Sequence, residues 1–239
     1  MADQTNLDRT LAEQRNYYDA RAPEYDEWWL RQGRFNHGPE ATARWDEEVA
    51  TLHAALEATG ITGDVLEFAS GTGNWTIHLA QLADRVTALD ASPEMIALNR
   101  ARLEAAGLAA RVSFEQVDLF TWRPQRIYDA VALGFFLSHV PVEREDAFMA
   151  VVAAALGAGG KIFFVDSRRE PTSTAPDQPL PAAGDQVMTR RLNDGRTFQI
   201  IKLYRSIAEM SDLFARHGLA VDVRETPTYF QYGSGSKST

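Results

Sequence analysis

The sequence contains no cysteine among its 239 residues. That excludes a disulfide scaffold, a thiolate metal site and a cysteine nucleophile. It is also short of positive charge, with 24 Lys and Arg against 33 Asp and Glu and a formal net charge of −9. A nucleic-acid binder needs a Lys/Arg excess to neutralise phosphate, so no nucleic-acid partner is expected. No apolar run approaches the roughly 18 residues that span a bilayer, so no membrane partner is expected either. The start, Met1-Ala2-Asp3-Gln4, has no basic patch and no apolar run. No signal peptide is read there, and a cytoplasmic location is expected. There are five histidines, and neither they nor the acids show ligand spacing, so no metal is expected. Internal repeats and heptad runs are missing as well.

What is present is an ordinary globular composition, 45% hydrophobic and 24% charged, in a chain long enough to bury a full core. One domain with decorations is expected. The charge is uneven. Residues 161–239 hold 11 bases and 9 acids, mildly basic on an acidic protein. Either this is scatter, or the last third meets an anion.

Breaker-free stretches predict helices over 5–22, ending near Pro23, and over 40–58, ended by Gly60. Short apolar runs then alternate with helices. Strands are expected at 64–69, 85–90, 111–117, 129–134 and 161–166, with helices over 74–83, 92–107 and 143–157. Ser92 caps the second of these helices and Pro93 takes its first position. This alternation predicts an α/β fold with a parallel sheet, and ligands at the carboxyl ends of its strands. Later, Asn193-Asp194-Gly195 between two strand-like runs predicts a hairpin over 187–204. It stands outside the alternation and reads as an insertion after the fifth strand. Ser206 and Glu209 form a capping-box signal for a helix to about His217. Two closing strands follow, over 219–224 and 228–232. The glycine- and serine-rich segment 233–239 reads as a flexible tail.

The most informative stretch is Glu67-Phe68-Ala69-Ser70-Gly71-Thr72-Gly73. Gly71 and Gly73, between a buried strand and a helix, let the backbone pass close to a ligand. A dinucleotide fingerprint would place a third glycine at position 76, which is Thr76, so the pyrophosphate turn is incomplete. Asp90 ends the next strand, where a carboxylate can hold a ribose diol. Asp118, followed by Leu119 and Phe120, suits an adenine ring between apolar side chains. Met95 and Gly134 also fall on these strand-end segments.

This ordered set, with Ala88-Leu89-Asp90-x-Ser92-Pro93-Glu94-Met95 and Asp129-Ala130-Val131, resembles the class I S-adenosylmethionine-dependent methyltransferases. The resemblance spans about residues 15–232. It implies a Rossmann-like seven-stranded sheet whose last strand is antiparallel. It also implies S-adenosyl-L-methionine as cofactor and S-adenosyl-L-homocysteine as product. Glu67, Ala69, Gly71 and Gly73 would then line the methionine part, and Asp90 with Ala91 the ribose. Met95, Asp118, Leu119, Phe120 and Gly134 would complete the cofactor set. Segment 17–26 is similar to the lid of small-molecule members, with Tyr18, Arg21 and Tyr25 as residues that hold the cofactor and close the site. One domain over 1–239 is implied: a helical lid (1–60), a cofactor core (61–170), an insertion with a substrate-capping hairpin (171–205), and a closing helix and strands (206–232) before the tail.

For the acceptor, His139 after the fourth strand is either a base or a clamp. Hairpin cations Arg190 and Lys202 either face the acceptor or lie on a solvated face. Segments 189–206 and 138–141 resemble small-molecule phosphonate O-methyltransferases of the kind that serve dehydrophos biosynthesis. That implies O-methylation of a small acid in secondary metabolism (antibiotic biosynthesis among its settings), with Tyr25, Trp29, His139, Arg190 and Lys202 about the acceptor, in a monomer or homodimer. Two departures, Glu27-Trp28-Trp29 and the stretch Pro171 to Pro181, leave the acceptor open. A neutral hydroxyl or amine acceptor with His139 as base, and a non-catalytic cofactor-binding module, are the other readings.

Overall fold

The computed structural model describes residues 2–182 and 184–238, with side chains from Asn6 onward. Seven strands form one sheet: β1 (Asp64–Phe68), β2 (Arg85–Asp90), β3 (Val112–Gln116), β4 (Tyr128–Gly134), β5 (Leu156–Ser167), β8 (Leu219–Glu225) and β9 (Phe230–Lys237). Their order is β3-β2-β1-β4-β5-β9-β8. The first five are parallel, and β9 lies antiparallel between β5 and β8. This is the Rossmann-like sheet expected, with the antiparallel strand as its sixth neighbour.

Helices cover both faces, which is why β1, β4 and β5 read as nearly unbroken apolar runs. Alternate residues divide between two cores. Leu66, Val131, Leu133, Ile162 and Phe164 pack with α6 (Val142–Ala155) and α7 (Ile207–Arg216). Val65, Val86, Ala130, Ala132, Phe163 and Val165 pack with α3 (Pro39–Ala58), α4 (Thr76–Leu82) and α5 (Pro93–Ala105). Burying such side chains on both faces contributes about 2 kcal/mol each. The start signals hold: Ser92 Oγ accepts the Met95 N–H at 3.2 Å at the head of α5, and Ser206 and Glu209 form the reciprocal capping box of α7.

Two sequence expectations shift. Helix α6 stops at Ala155 rather than running to Gly157, because the chain turns extended at Leu156 and already pairs Tyr128. The β4–β5 register slips between Tyr128 and Ala130, which absorbs the glycines. Segment 233–237, expected as a flexible tail, is instead the second half of β9. It pairs Ile162 with Gly235 on one side and Val221 with Gly235 on the other. Its glycines serve close approach: a Cβ at Gly235 would overlap the Ala220 carbonyl. Thr239 lies outside the described residues.

The hairpin is a separate two-stranded sheet, β6 (Val187–Arg191) and β7 (Thr197–Ile201). Its exposed edge is capped by the N-terminal helix α1 (Ala2–Arg21). Glu13 accepts the Gln199 N–H at 2.7 Å and Gln14 the Ile201 N–H at 2.9 Å. Tyr17 packs with Met188, Leu192 and Ile200. Ladder groups left open on an edge strand are a pairing liability, and the two side chains close them. α1 and the hairpin therefore form one roof over the carboxyl ends of β1, β4 and β5.

Candidate functional site

The sheet order reverses between β1 and β4, and the site lies there. Two non-glycine residues with positive φ mark the spot: Ala69 (φ 53) just after β1 and Phe135 (φ 56) just after β4. Such conformations cost of order 1 kcal/mol and gather at functional sites. After Ala69 the chain makes its glycine turn. Gly71 (φ 53) and Gly73 (φ 92) occupy the left-handed region, and a Cβ on Gly73 would strike the Asn99 side chain.

A cavity of about 740 Å³ opens over this turn. Of the residues expected around a cofactor, Tyr18, Tyr25, Ala69, Gly71, Asp90, Ala91, Met95, Asp118, Leu119, Phe120 and Gly134 line it. Asp90 is the hub. Its Oδ2 accepts the Gly71 N–H at 2.8 Å and its Oδ1 the Ser92 N–H at 2.9 Å. Burial raises the Asp90 pKa, and the backbone N–H groups of Ser92, Gly71 and Ala91 work against that rise. Glu67 and Gly73 sit behind the lining rather than on it. The Glu67 carboxyl is pushed up to about 8 by burial, against the Thr76 hydroxyl that donates to it at 2.7 Å. Near the turn Ser70 Oγ, Trp75 Nε1 and Asn99 Oδ1 are buried without a hydrogen-bond partner, as is Asp19 Oδ1 on the lid. Gln14, Arg15, Ser92, Phe135 and Phe136 also line the cavity and were not expected.

The lid is tied to the core by charge. Asp26, on α2 (Tyr25–Trp29), accepts the Thr72 hydroxyl at 2.7 Å and the Arg102 guanidinium, and so grips the glycine turn. Arg15 reaches Asp118 at 3.2 Å, and Arg144 reaches Asp8. Asp118 thus meets the lid through one oxygen and the Phe120 N–H through the other.

A second cavity, about 440 Å³, adjoins the first and shares Tyr18, Tyr25, Phe135 and His139 with it. Arg190 and Lys202 line it. Lys202 is 3% exposed. It donates to Ser138 Oγ at 2.8 Å and lies 3.6 Å from Asp166 Oδ1. Burial pushes the Lys202 ammonium down to about 8, Asp166 resists this, and Arg190 adds to it. Arg190 donates to the Gln178 side chain at 2.6 Å, and its Nε is buried with no partner.

Two expectations are corrected. Trp29 does not face the second cavity; it packs on Trp45, Trp75 and Phe135, and Trp28 takes its place. Neighbouring helical residues point about 100° apart, and the short α2 turns its first tryptophan to the cavity. Arg21 does not line the first cavity either. It faces the second one, stacked over the Tyr25 ring at 4.7 Å. Ser167, Ser173 and Tyr204 complete that wall, and no motif in the sequence flagged them. The two departures noted in the sequence meet here: Trp28 Nε1 donates to the Ser173 carbonyl at 2.7 Å.

His139 is held at both nitrogens. Nδ1 donates to the Ile201 carbonyl at 2.6 Å, which leaves Nε2 to accept the Tyr18 hydroxyl at 2.9 Å. Burial lowers the His139 pKa well below the usual value, and Lys202, Arg190 and Arg21 lower it further. The imidazole is neutral, and its one basic nitrogen is already occupied. Among the described residues no cluster of three or more His, Asp or Glu could hold a metal, and no helix is long and apolar enough to cross a membrane.

Comparison with known proteins fits this geometry. A family model described as a methyltransferase domain matches residues 65–160, the span from β1 into β5. An uncharacterized methyltransferase of Bacillus cytotoxicus is 27% identical over 199 residues, covering 82% of this chain and 88% of that one. A ubiquinone biosynthesis O-methyltransferase of Xanthomonas axonopodis pv. citri is 26% identical over 192 residues, covering 80% and 71%. Among solved structures, DhpI with SAH is 38% identical, with a TM-score of 0.77 over 96% of this chain and 97% of that one. A DhpI–SAM–HEP complex is 39% identical at the same TM-score, over 95% and 97%. With this identity across almost all of both chains, a seven-stranded sheet whose order reverses between β1 and β4 and an aspartate-gripped glycine turn at that switch point, the chain belongs to the class I S-adenosylmethionine-dependent methyltransferases.

Proposed function

We propose that this methyltransferase esterifies a small acidic acceptor, a phosphonate or carboxylate, by O-methylation. The observation that carries the reading is the second cavity, whose lining holds Arg21, Arg190 and Lys202 and no Asp or Glu. A bound anion supplies the charge that such a cavity lacks, and an acceptor already ionised needs no general base. The neutral, doubly engaged His139 suits that chemistry. On this reading it orients Tyr18 on the wall between the two cavities. The domain limits given above, with the hairpin as a substrate-capping element, belong to the same reading, as does a role in secondary metabolism.

S-adenosylmethionine supplies an electrophilic methyl group. The chain's own residues align the acceptor with it and exclude water. Asp90 keeps lone pairs free for a ribose diol, and Leu119 and Phe120 give an adenine its apolar faces. Glu67, buried beside the turn, answers to the methionine end. A cation seated on the turn favours ionised Glu67, so binding S-adenosylhomocysteine at pH 7 is expected to release about one proton. The sign follows from the raised pKa: below about 8 the free protein holds a proton that the complex sheds, so affinity rises with pH up to that value. Calorimetry in two buffers of different ionisation enthalpy measures the release, and Glu67→Gln should remove it. Equal heats in both buffers for the unaltered protein would reject the assignment.

The acceptor class is tested by S-adenosylhomocysteine release over a panel of phosphonates, carboxylates, phenols and amines. Turnover confined to acids is expected. Arg190→Gln should raise the KM for the acid about 10- to 100-fold and leave that for the cofactor unchanged. Turnover confined to phenols or amines would demote the hairpin cations and make His139, through Tyr18, the base.

A further inference from the structure

We infer that Asn99, which lines neither cavity, is a positioning residue for the cofactor: from α5 it sets the Thr76 hydroxyl, and through that hydroxyl Glu67, so that the methionine end of S-adenosylmethionine meets a carboxylate. The inference rests on the Glu67 assignment proposed above and names the residue that sets it.

Three buried polar side chains stand in a row behind the glycine turn. Asn99 and Thr76 are 0% exposed and Glu67 is 2% exposed. Asn99 Nδ2 donates to Thr76 Oγ1 at 2.8 Å, and Thr76 Oγ1 donates to Glu67 Oε2 at 2.7 Å. The direction of this chain is fixed at its far end. Asn99 Nδ2 also donates to the Ser70 carbonyl at 3.4 Å, and a carbonyl can only accept, so the amide turns its NH2 that way. Thr76 receives from Asn99 and keeps its one proton for Glu67. A hydroxyl that is itself donated to becomes the stronger donor. The same orientation leaves Asn99 Oδ1 buried with no partner, against Gly73, where a Cβ would come within 2.4 Å of it. A buried acceptor left open is rare in a native fold and asks for a reason. Here the reason is the work of the other end of the amide.

One face of α5 serves the turn along its length, because residues three and four apart are neighbours on a helix. Met95, one turn before Asn99, lines the first cavity. Arg102, one turn after it, donates to Asn74 and Asp26. Asn99 holds the middle, on the Ser70 carbonyl that also accepts the Gly73 N–H at 3.1 Å and closes the turn. Little else around Glu67 favours its charge. Its cross-strand neighbours are Ala88 on β2 and Ala132 on β4. Asp90, at the end of β2, is the charged group beside it and opposes its ionisation, as burial does. The Thr76 hydroxyl works the other way, and Asn99 is what strengthens it.

The test reads the affinity of the full chain for S-adenosylhomocysteine against pH, with calorimetry for the protons released. In Asn99→Leu, close to asparagine in volume, Thr76 loses its donor and Glu67 ionises less readily. The midpoint of the Glu67 titration should move up by about one pH unit. Affinity should then fall about 10-fold at pH 7 and only about 3-fold at pH 8.5, and binding at pH 8.5 should release about half a proton more than in the unaltered protein. Asn99→Ala, the variant to use if leucine spoils the fold, should move the curve the same way. Thr76→Val cuts the link, so adding Asn99→Leu to it should cost nothing more. Thr76→Ser, which keeps the hydroxyl, should bind as the unaltered protein does. A side chain that only packs would lower affinity equally at every pH and add its loss to that of Thr76→Val. Either result would overturn the inference and leave the Glu67 assignment intact. An unaltered protein that releases no proton on binding would overturn both.

Discussion

Ending the chain at Tyr232 is expected to abolish its cooperative unfolding transition. The seven residues removed read as a linker, but five of them complete β9 between β5 and β8. Their ladder bonds run in both directions, and at about 1 kcal/mol each the loss is on the order of 5–10 kcal/mol. That equals the whole stability of an ordinary domain. Lys237 adds two bonds to the end of α6 and the start of β5, at 2.7 Å to Ala153 O and 2.9 Å to Leu156 O. β9 also braces the part of β5 that carries Asp166 and Ser167, which pair with Gln231 and Phe230. Circular dichroism melts would show the loss. Gly235→Val, which keeps the chain length but drives a side chain into the Ala220 carbonyl, should fail in the same way. A truncated protein that melts where the full chain does would refute the strand assignment.

The same segment shows where sequence reading stops. Glycine and serine pack no core, so composition alone cannot separate a central strand of small residues from a flexible tail. What decides is the spacing between β8 and β9, a tertiary fact. By contrast β1, β4 and β5 were legible because strands covered on both faces need nearly unbroken apolar runs. The caps at Ser92 and Ser206 were legible because their hydrogen bonds are local. The lining of the first cavity was legible for a similar reason: Gly71, Asp90 and Asp118 each lie at or just past the carboxyl end of a strand, where such folds put their ligands. The lining of the second cavity was only half legible. The hairpin cations stood out by charge, but whether Trp28 or Trp29 faces inward depends on the pitch of a five-residue helix. Arg21 sits beside lid tyrosines that do line the first cavity, and its packing over Tyr25 turns it to the neighbouring one.

Replacing Lys202 by methionine is expected to cost about 3–5 kcal/mol of stability as well as acceptor binding. Asp166, 2% exposed, would keep its two backbone bonds, from Ser138 N at 2.7 Å and Ser167 N at 2.7 Å, but lose the one cation paired with it among the described residues. Ser138 precedes His139, so strain at Asp166 reaches the wall between the cavities. The two effects are separable. Burial already disfavours the ammonium, and the ion pair only partly offsets that, so removing both charges is far milder than removing one. The double variant Lys202→Met with Asp166→Asn should recover most of the lost melting temperature while its acceptor KM stays at least tenfold raised. The pH dependence carries the same signature with a definite sign. Lys202 has a folded pKa near 8, below its unfolded value, so the unfolded chain binds the extra proton between the two. Its share of stability therefore rises with pH above about 8, and Lys202→Met should flatten that rise. If the double variant regains activity together with stability, Lys202 supports the fold and does not meet the acceptor.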